Sequence, residues 1–247
     1  MEAYTKDPHI LTALHADIQA VYDRDPACST YTQCLIWFKG ERISNEGVAL
    51  LKKRAGRQVG TSPPPASSPL PPHDPFHPAL PPGFQALQSH RISHWLWVSG
   101  RRALAVALQS RMSEVFHVDI HPAAVLGCGI MLDHATGVVI GETARVGDNV
   151  SMLHHVTLGG TGASVGVRHP SISEGVLLGA SVTVLGNVTV GDGAKVGAGS
   201  VVLTDVPAHR TAVGVPAKVM RAPGKVGPDP SLEMDQTSFL EWSDYEI

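Results

Sequence analysis

Residues 172–202 read ISEGVLLGASVTVLGNVTVGDGAKVGAGSVV. Within this stretch Ile172, Leu178, Val184, Val190, Val196 and Val202 recur every six residues. Upstream, the same beat carries Ile120, Leu126, Leu132 and Val138. After a two-residue slip it continues through Ile140, Val146, Met152 and Leu158. A fixed hexapeptide period identifies a solenoid, a parallel β-helix in which each hexad gives one short flat side and points one aliphatic residue into a narrow core. Two features of composition agree. Seventeen of the 25 glycines lie between Gly127 and Gly214, where tight corners favour a residue without Cβ. No Phe, Trp or Tyr occurs between His117 and Ser238, as a prism too thin for rings requires. The strands of a β-sandwich recur at longer and less even spacing.

Ahead of the solenoid, Ile10, Leu14, Ile18 and Val21 have helical spacing over residues 8–22. Asp25-Pro26 reads as a further helix start, with Asp as N-cap and Pro in the first turn. That helix would run through Cys34 to Phe38. A long helix is expected from Phe84 to about Phe116, with Leu87, Trp95, Leu96, Leu104 and Leu108 on its apolar side and Arg101-Arg102 solvated. Between the helices, Glu41–Gly83 holds ten of the 19 prolines and reads as a flexible, partly polyproline insertion. The expected organisation is therefore helical 1–40, insertion 41–83, helix 84–116, β-helix 117–215 and tail 216–247. The chain is expected to leave the prism after Pro207, through Gly214 to Lys218. The tail brings back aromatics at Phe239, Trp242 and Tyr245. It either binds a partner or packs back on its own solenoid.

Composition narrows the function classes. The 247 residues carry a net charge of −3, which gives no electrostatic case for nucleic acid or membrane surfaces. Cys28, Cys34 and Cys128 are odd in number and lack metal-like spacing, so reduced thiols and a cytoplasmic location are expected, with an organellar one left open. The first twenty residues lack the apolar core of a signal peptide.

A β-helix has smooth sides, so chemistry is expected where the beat breaks. One break is Gly159 to Ser171, where 14 residues separate Leu158 from Ile172 instead of six and about eight loop outward. A second cluster is Asp119 and His121, then Asp133 and His134. With three hexads per circuit, Asp119 and His134 fall on neighbouring coils, about one strand spacing of ~4.8 Å apart plus a lateral offset. A carboxylate that close orients an imidazole and favours its protonated form, so the His takes a proton from a hydroxyl near neutral pH. The alternative is that both are turn residues. His154-His155 raise a metal site, but adjacent residues are expected to point to opposite sides, and no ligand set completes one. No metal is expected.

The stretches Phe116–Ala124, Gly129–Gly137, Gly141–Ala144, Val156–Gly162 and Arg168-His169-Pro170 resemble serine acetyltransferases. So do Asp23–Ala27, Phe84–Leu87 and Arg91–Trp97. The last 14 residues, Met234 to Ile247, resemble the plant-type enzymes. The resemblance implies a left-handed parallel β-helix beside an α-helical N-terminal part. It also implies acetyl transfer from acetyl-CoA, as co-substrate with no permanently bound cofactor, to the hydroxyl of L-serine for cysteine synthesis. By resemblance His134 is the general base and Asp119 its orienting carboxylate. Asp25 and Asp133 hold the substrate ammonium, and Arg168 and His169 hold its carboxylate and side chain. Gly160 and Thr161 line the acetyl and pantetheine path, Ala180 and Ala198 leave room for pantetheine, and Lys218 lies near the CoA phosphates. The family's sites lie between neighbouring β-helices of a homotrimer, and its first helices join two trimers into a hexamer. The family's terminal Ile, here Ile247, enters O-acetylserine sulfhydrylase. Two departures stand out. Ala163 replaces a Lys and Val167 an Asp, and the lost carboxylate is expected to loosen Arg168. The alternative function is a catalytically impaired isoform that binds the sulfhydrylase through its tail. Transfer to a sugar or another acceptor fits Asp25, Asp133 and Arg168 poorly.

Overall fold

A computed structural model describes residues 2–25, 82–162, 166–220 and 230–234. The region expected to be helical after Asp25, 26–38, and nearly all of the proline-rich insertion lie outside these residues, as do Ala163 and the aromatic tail with Ile247. The N-terminal helices are α1, Glu2–Lys6, and α2, Pro8–Arg24. Asp7 caps α2 by accepting the His9 amide at 2.9 Å, with Pro8 pre-set for the first turn. Asp25, expected to start a helix, is the extended residue that closes α2, and its N–H donates to Val21.

The single long helix expected over 84–116 is two: α3, Pro82–Val98, and α4, Arg102–Phe116. Gly100 breaks them with a φ of +79°, a conformation that is cheap only without a Cβ. Helical periodicity is the same for one helix as for two in a hairpin, so the apolar stripe did not reveal the turn. Leu104 falls on the outer side of α4 and is half exposed, not on the apolar face. Arg102 is exposed and lies 4.9 Å from the Trp97 ring centre. Helix α3 begins inside the expected insertion. A Cβ on Gly83 would overlap the Leu132 carbonyl, so glycine lets α3 lie directly on the solenoid.

The solenoid has three faces of parallel strands. Face A stacks β1 (Asp119–Ile120), β4 (Val139–Ile140), β7 (Thr157–Gly159), β10 (Thr183–Leu185) and β13 (Val201–Val202). Face B stacks β2 (Val125–Leu126), β5 (Arg145–Val146), β8 (Ser171–Ile172) and β11 (Thr189–Val190). Face C stacks β3 (Met131–Leu132), β6 (Ser151–Met152), β9 (Leu177–Leu178), β12 (Lys195–Val196) and β14 (Thr211–Gly214). The coils form the expected left-handed β-helix. Each side buries a second apolar residue besides the one in the six-residue beat. Ala124, Ile130, Ala144, Val150 and Val156 enter the core from the corners, and so does Val138, which the six-residue beat counts as a strand position that Ile140 holds instead. The slip is therefore a lengthened corner, residues 133–138, where Val138 and Ile140 are both internal.

The prism does not end at Pro207. Lys195 pairs with Thr211, and β15, Ala217–Val219, then folds back antiparallel on β14. The last described element, α5, is Pro230–Glu233. The Ser231 carbonyl accepts the Ser151 hydroxyl at 3.0 Å, so this part of the tail packs on its own solenoid.

A buried ion pair fastens the helices to the first coils. Asp17 is fully buried and receives Arg91 Nε at 2.7 Å, Arg91 Nη2 at 2.9 Å, Gln88 at 2.8 Å and the Ile130 amide at 3.0 Å. Arg91 also donates to the Gly127 carbonyl at 2.7 Å. Burial pushes the Asp17 pKa up, and Arg91, Gln88 and the Ile130 amide oppose that rise. His90, beside Arg91 on α3, is enclosed, and burial, then the charges of His94 and Arg91, push its pKa down to about 3.

Candidate active site

The corner between faces C and A carries Asp133 and His134 on the first coil and His154 and His155 on the second. On the next two coils it carries Ala180 and Ala198. His134 has a left-handed backbone, φ 57°, uncommon for a residue with a side chain and often associated with functional positions. Its side chain is 76% exposed and its Nε2 lies 3.7 Å from Asp133 Oδ1. The His154 ring stands 6.3 Å from His134 and 5.4 Å from His155, edge to face in both cases. The expectation that His154 and His155 point to opposite sides therefore fails. Alternation belongs to strands, and these two sit at a corner where His155 has a φ of 57°. Above them the Ser181 amide donates to the His154 carbonyl, and the Gly199 amide to that of Ala180. Ala180 and Ala198 thus continue the column of His154, whose ring stands beside that of His134.

Asp119 opens face A on the coil below Val139, with which it is in register. It is exposed and accepts Gln109 Nε2 of α4 at 2.6 Å. The structure thus brings Asp133, rather than Asp119, to the His134 ring within one chain.

The corner between faces A and B carries the other cluster. Here His121, Gly141-Glu142-Thr143 and Arg168-His169 succeed one another on rising levels. The His169 ring covers Gly141, where any Cβ would overlap it. His169 Nδ1 accepts the Thr143 amide at 3.1 Å and lies 2.8 Å from Thr143 Oγ1. A backbone N–H only donates, so the neutral ring carries its proton on Nε2. Thr143 Oγ1 in turn accepts the amides of Arg168 at 3.0 Å and His169 at 3.1 Å. Burial, then the charge of Arg168, pushes the His169 pKa down, which keeps the ring neutral. Arg168 donates Nη2 to Glu142 at 3.0 Å. The lost loop carboxylate at Val167 therefore does not leave Arg168 unanchored. Glu142 and Thr143 organise the cluster, and sequence reasoning did not place them in the site. Their signal was their position at the corner beneath the loop.

Gly160 packs against Arg168 where the loop closes, and Thr161 is exposed beside Gly186. Lys218 is exposed on β15. The His134 column and the Arg168 cluster occupy different corners, separated by face A. About five residues of extended chain lie between them, roughly 16 Å.

Among known proteins, residues 1–41 match the serine acetyltransferase N-terminal model, and residues 169–204 match a model of six bacterial transferase hexapeptide repeats. A serine acetyltransferase of Salmonella typhimurium is 48% identical over 95% of this chain and 70% of its own length. The chain belongs to the serine acetyltransferase family. A probable serine acetyltransferase of Oryza sativa is 51% identical over 100% of the chain, which spans 62% of that relative's length. Two solved members superpose on it. Soybean serine acetyltransferase complexed with serine gives a TM-score of 0.69 at 47% identity, over 89% of this chain and 72% of that one. Brucella abortus serine acetyltransferase in complex with coenzyme A gives 0.71 at 43% identity, over 90% and 72%.

Proposed function

We propose that this chain is a serine O-acetyltransferase of cysteine biosynthesis. The observation that carries the reading is the kinship over nearly the whole chain with serine acetyltransferases, one solved with serine and one with coenzyme A. The local geometry suits both ligands. Arg168 offers a planar fork for a carboxylate, held by Glu142. His169 offers a fixed Nε2–H donor. The small residues Ala180 and Ala198 leave the edge above His134 open for an extended pantetheine chain.

In the proposed reaction His134 removes the proton from the serine hydroxyl. The oxygen attacks the thioester carbonyl carbon directly, the C–S bond breaks, and the CoA thiolate takes the proton back from His134. Products are O-acetylserine and CoA, with no acyl-enzyme and no permanently bound cofactor. Asp25 and Asp133 hold the substrate ammonium, amides near Gly160 and Thr161 face the oxyanion, and Lys218 meets the CoA phosphates; Asp119, which accepts Gln109 in this chain, turns from it to orient the base. Because His134 and Arg168 occupy different corners, one pocket draws on two copies of the chain. A homotrimer of β-helices joins such corners three times. Ile247 and its tail dock into O-acetylserine sulfhydrylase, and removal of the last ten residues is expected to abolish that binding.

Two variants test the reading. His134→Ala is expected to lose serine-dependent CoA release while keeping its fold and oligomeric state, and full activity would sink the mechanism. Mixed oligomers of His134→Ala and Arg168→Ala chains are expected to recover part of the activity. No recovery in confirmed mixed oligomers would place both residues in one chain's site.

A further inference from the structure

The last residue of α2 carries a guanidinium buried among groups from distant parts of the chain. Arg24 is 6% exposed. Its Nη1 donates to the Gly129 carbonyl at 3.1 Å and to Ser151 Oγ at 3.0 Å, and its Nη2 reaches Asn149 Oδ1 at 3.4 Å. Ser151 is fully buried, and its own hydroxyl donates a hydrogen bond to the Ser231 carbonyl at 3.0 Å. The Ser231 amide donates to the Gly175 carbonyl at 3.4 Å. Two coils of the solenoid and the C-terminal segment thus converge on one end of one helix. The next residue is Asp25, half-buried and extended, whose backbone closes α2.

Asp17 secures α2 about two turns earlier. Seven residues of helix separate it from Arg24, roughly 10 Å along the axis. Over that length small tilts move Asp25 by an ångström or more, and misplacement on that scale strongly weakens an oriented contact. Arg24 removes this freedom, because a planar guanidinium binding oxygens from two coils fixes direction as well as distance.

We propose that Arg24 is a positioning residue for the amino-acid substrate. It sets the place of Asp25, and through Ser151 it couples that place to the docking of the segment around Ser231. The inference rests on the reading of Asp25 as the group that holds the substrate ammonium. Coupling is reciprocal, so serine binding tightens the C-terminal segment as much as the docked segment tightens serine.

The test uses the full chain and the variants Arg24→Met, Arg24→Lys, Ser151→Ala and Arg24→Met/Ser151→Ala. Steady-state kinetics would separate kcat from the two KM values. Arg24→Met is expected to raise the serine KM about tenfold, with the acetyl-CoA KM changed less than twofold, and Arg24→Lys is expected to recover part of the loss. Ser151→Ala is expected to raise the serine KM about threefold, and the double variant is expected to match Arg24→Met, because both changes cut one chain of contacts. Hydrogen exchange at residues 230–234 supplies a readout that simple destabilisation would not give. Serine is expected to slow exchange there in the unsubstituted protein and not in Arg24→Met. An unchanged serine KM in folded Arg24→Met overturns the positioning role. Additive effects, or exchange at 230–234 insensitive to serine, overturn the coupling. If Arg24→Met fails to fold, Ser151→Ala carries the test, since Arg24 keeps Gly129 and Asn149. Unsubstituted protein that neither turns over nor binds serine would overturn the acetyltransferase reading and this inference together. Normal turnover with a silent Arg24 overturns the inference alone.

Discussion

Asp17→Asn probes the joint between the helices and the solenoid. The substitution keeps the side-chain size and removes the charge opposite Arg91, which is 7% exposed at its side chain. Four donors now converge on the Asp17 carboxylate, from Arg91, Gln88 and the Ile130 amide. An Asn offers one carbonyl oxygen and brings an NH2 toward donors. Breaking one partner of a buried pair costs about 3–5 kcal/mol, because the surviving charge stays buried without its counter-ion. That is a large fraction of the roughly 5–15 kcal/mol of stability typical of a domain. With a urea slope of about 2 kcal/mol/M, the midpoint falls by roughly 2 M. The assay is urea unfolding followed by the fluorescence of Trp95 and Trp97 on α3, at fixed protein concentration because oligomers gain stability by mass action. The double variant Asp17→Leu/Arg91→Met removes both charges and is expected to recover much of the loss. A cost under about 1 kcal/mol for Asp17→Asn, or a double variant no better than the single one, would refute the reasoning.

Three further outcomes follow from the same geometry. His90 is neutral in the folded chain, with a pKa of about 3, while the unfolded chain protonates it near 6.5, so its contribution is full above that pH and is lost as pH falls toward 3. Between pH 7 and pH 5 it removes about 2 kcal/mol of stability, and urea titrations of His90→Gln are expected to show a shallower pH dependence by that amount. Gly141→Ala drives a methyl into the His169 ring, and serine KM is expected to rise at least tenfold with the acetyl-CoA KM nearly unchanged; parallel changes in both would argue for a general disturbance. Glu142→Gln loosens Arg168 and is expected to raise the serine KM about threefold to tenfold, since the pair is partly exposed; no change in KM would show that Arg168 is held without Glu142.

The solenoid was legible because a narrow prism demands one inward aliphatic residue per side. Ile120, Ile140, Leu158, Val184 and Val202 all fall on face A as the six-residue beat requires. The corner contribution was less visible, since Ala124 and Ala144 are too small to mark a period. The hairpin of α3 and α4 was missed because its turn is only Ser99 to Arg101, and an apolar stripe does not record a change of helix direction. At the site, the types and positions of His134, Asp133, Arg168 and His169 were readable from the residues and the resemblance. Their distribution over two corners was not, because it depends on the lengths of the corners between strands. The corner position of Glu142 beneath the loop does not by itself name Arg168 as its partner, and Arg24 gives no sign that it meets Ser151. Both contacts join residues 26 or more apart in sequence, brought together only by the register of the coils.

The most direct measurement of the central claim is CoA thiol release from acetyl-CoA by the purified full-length chain, with and without L-serine. The account predicts release that depends on serine, with O-acetylserine as the acetylated product. A folded oligomer that releases no CoA above its serine-free rate would contradict it.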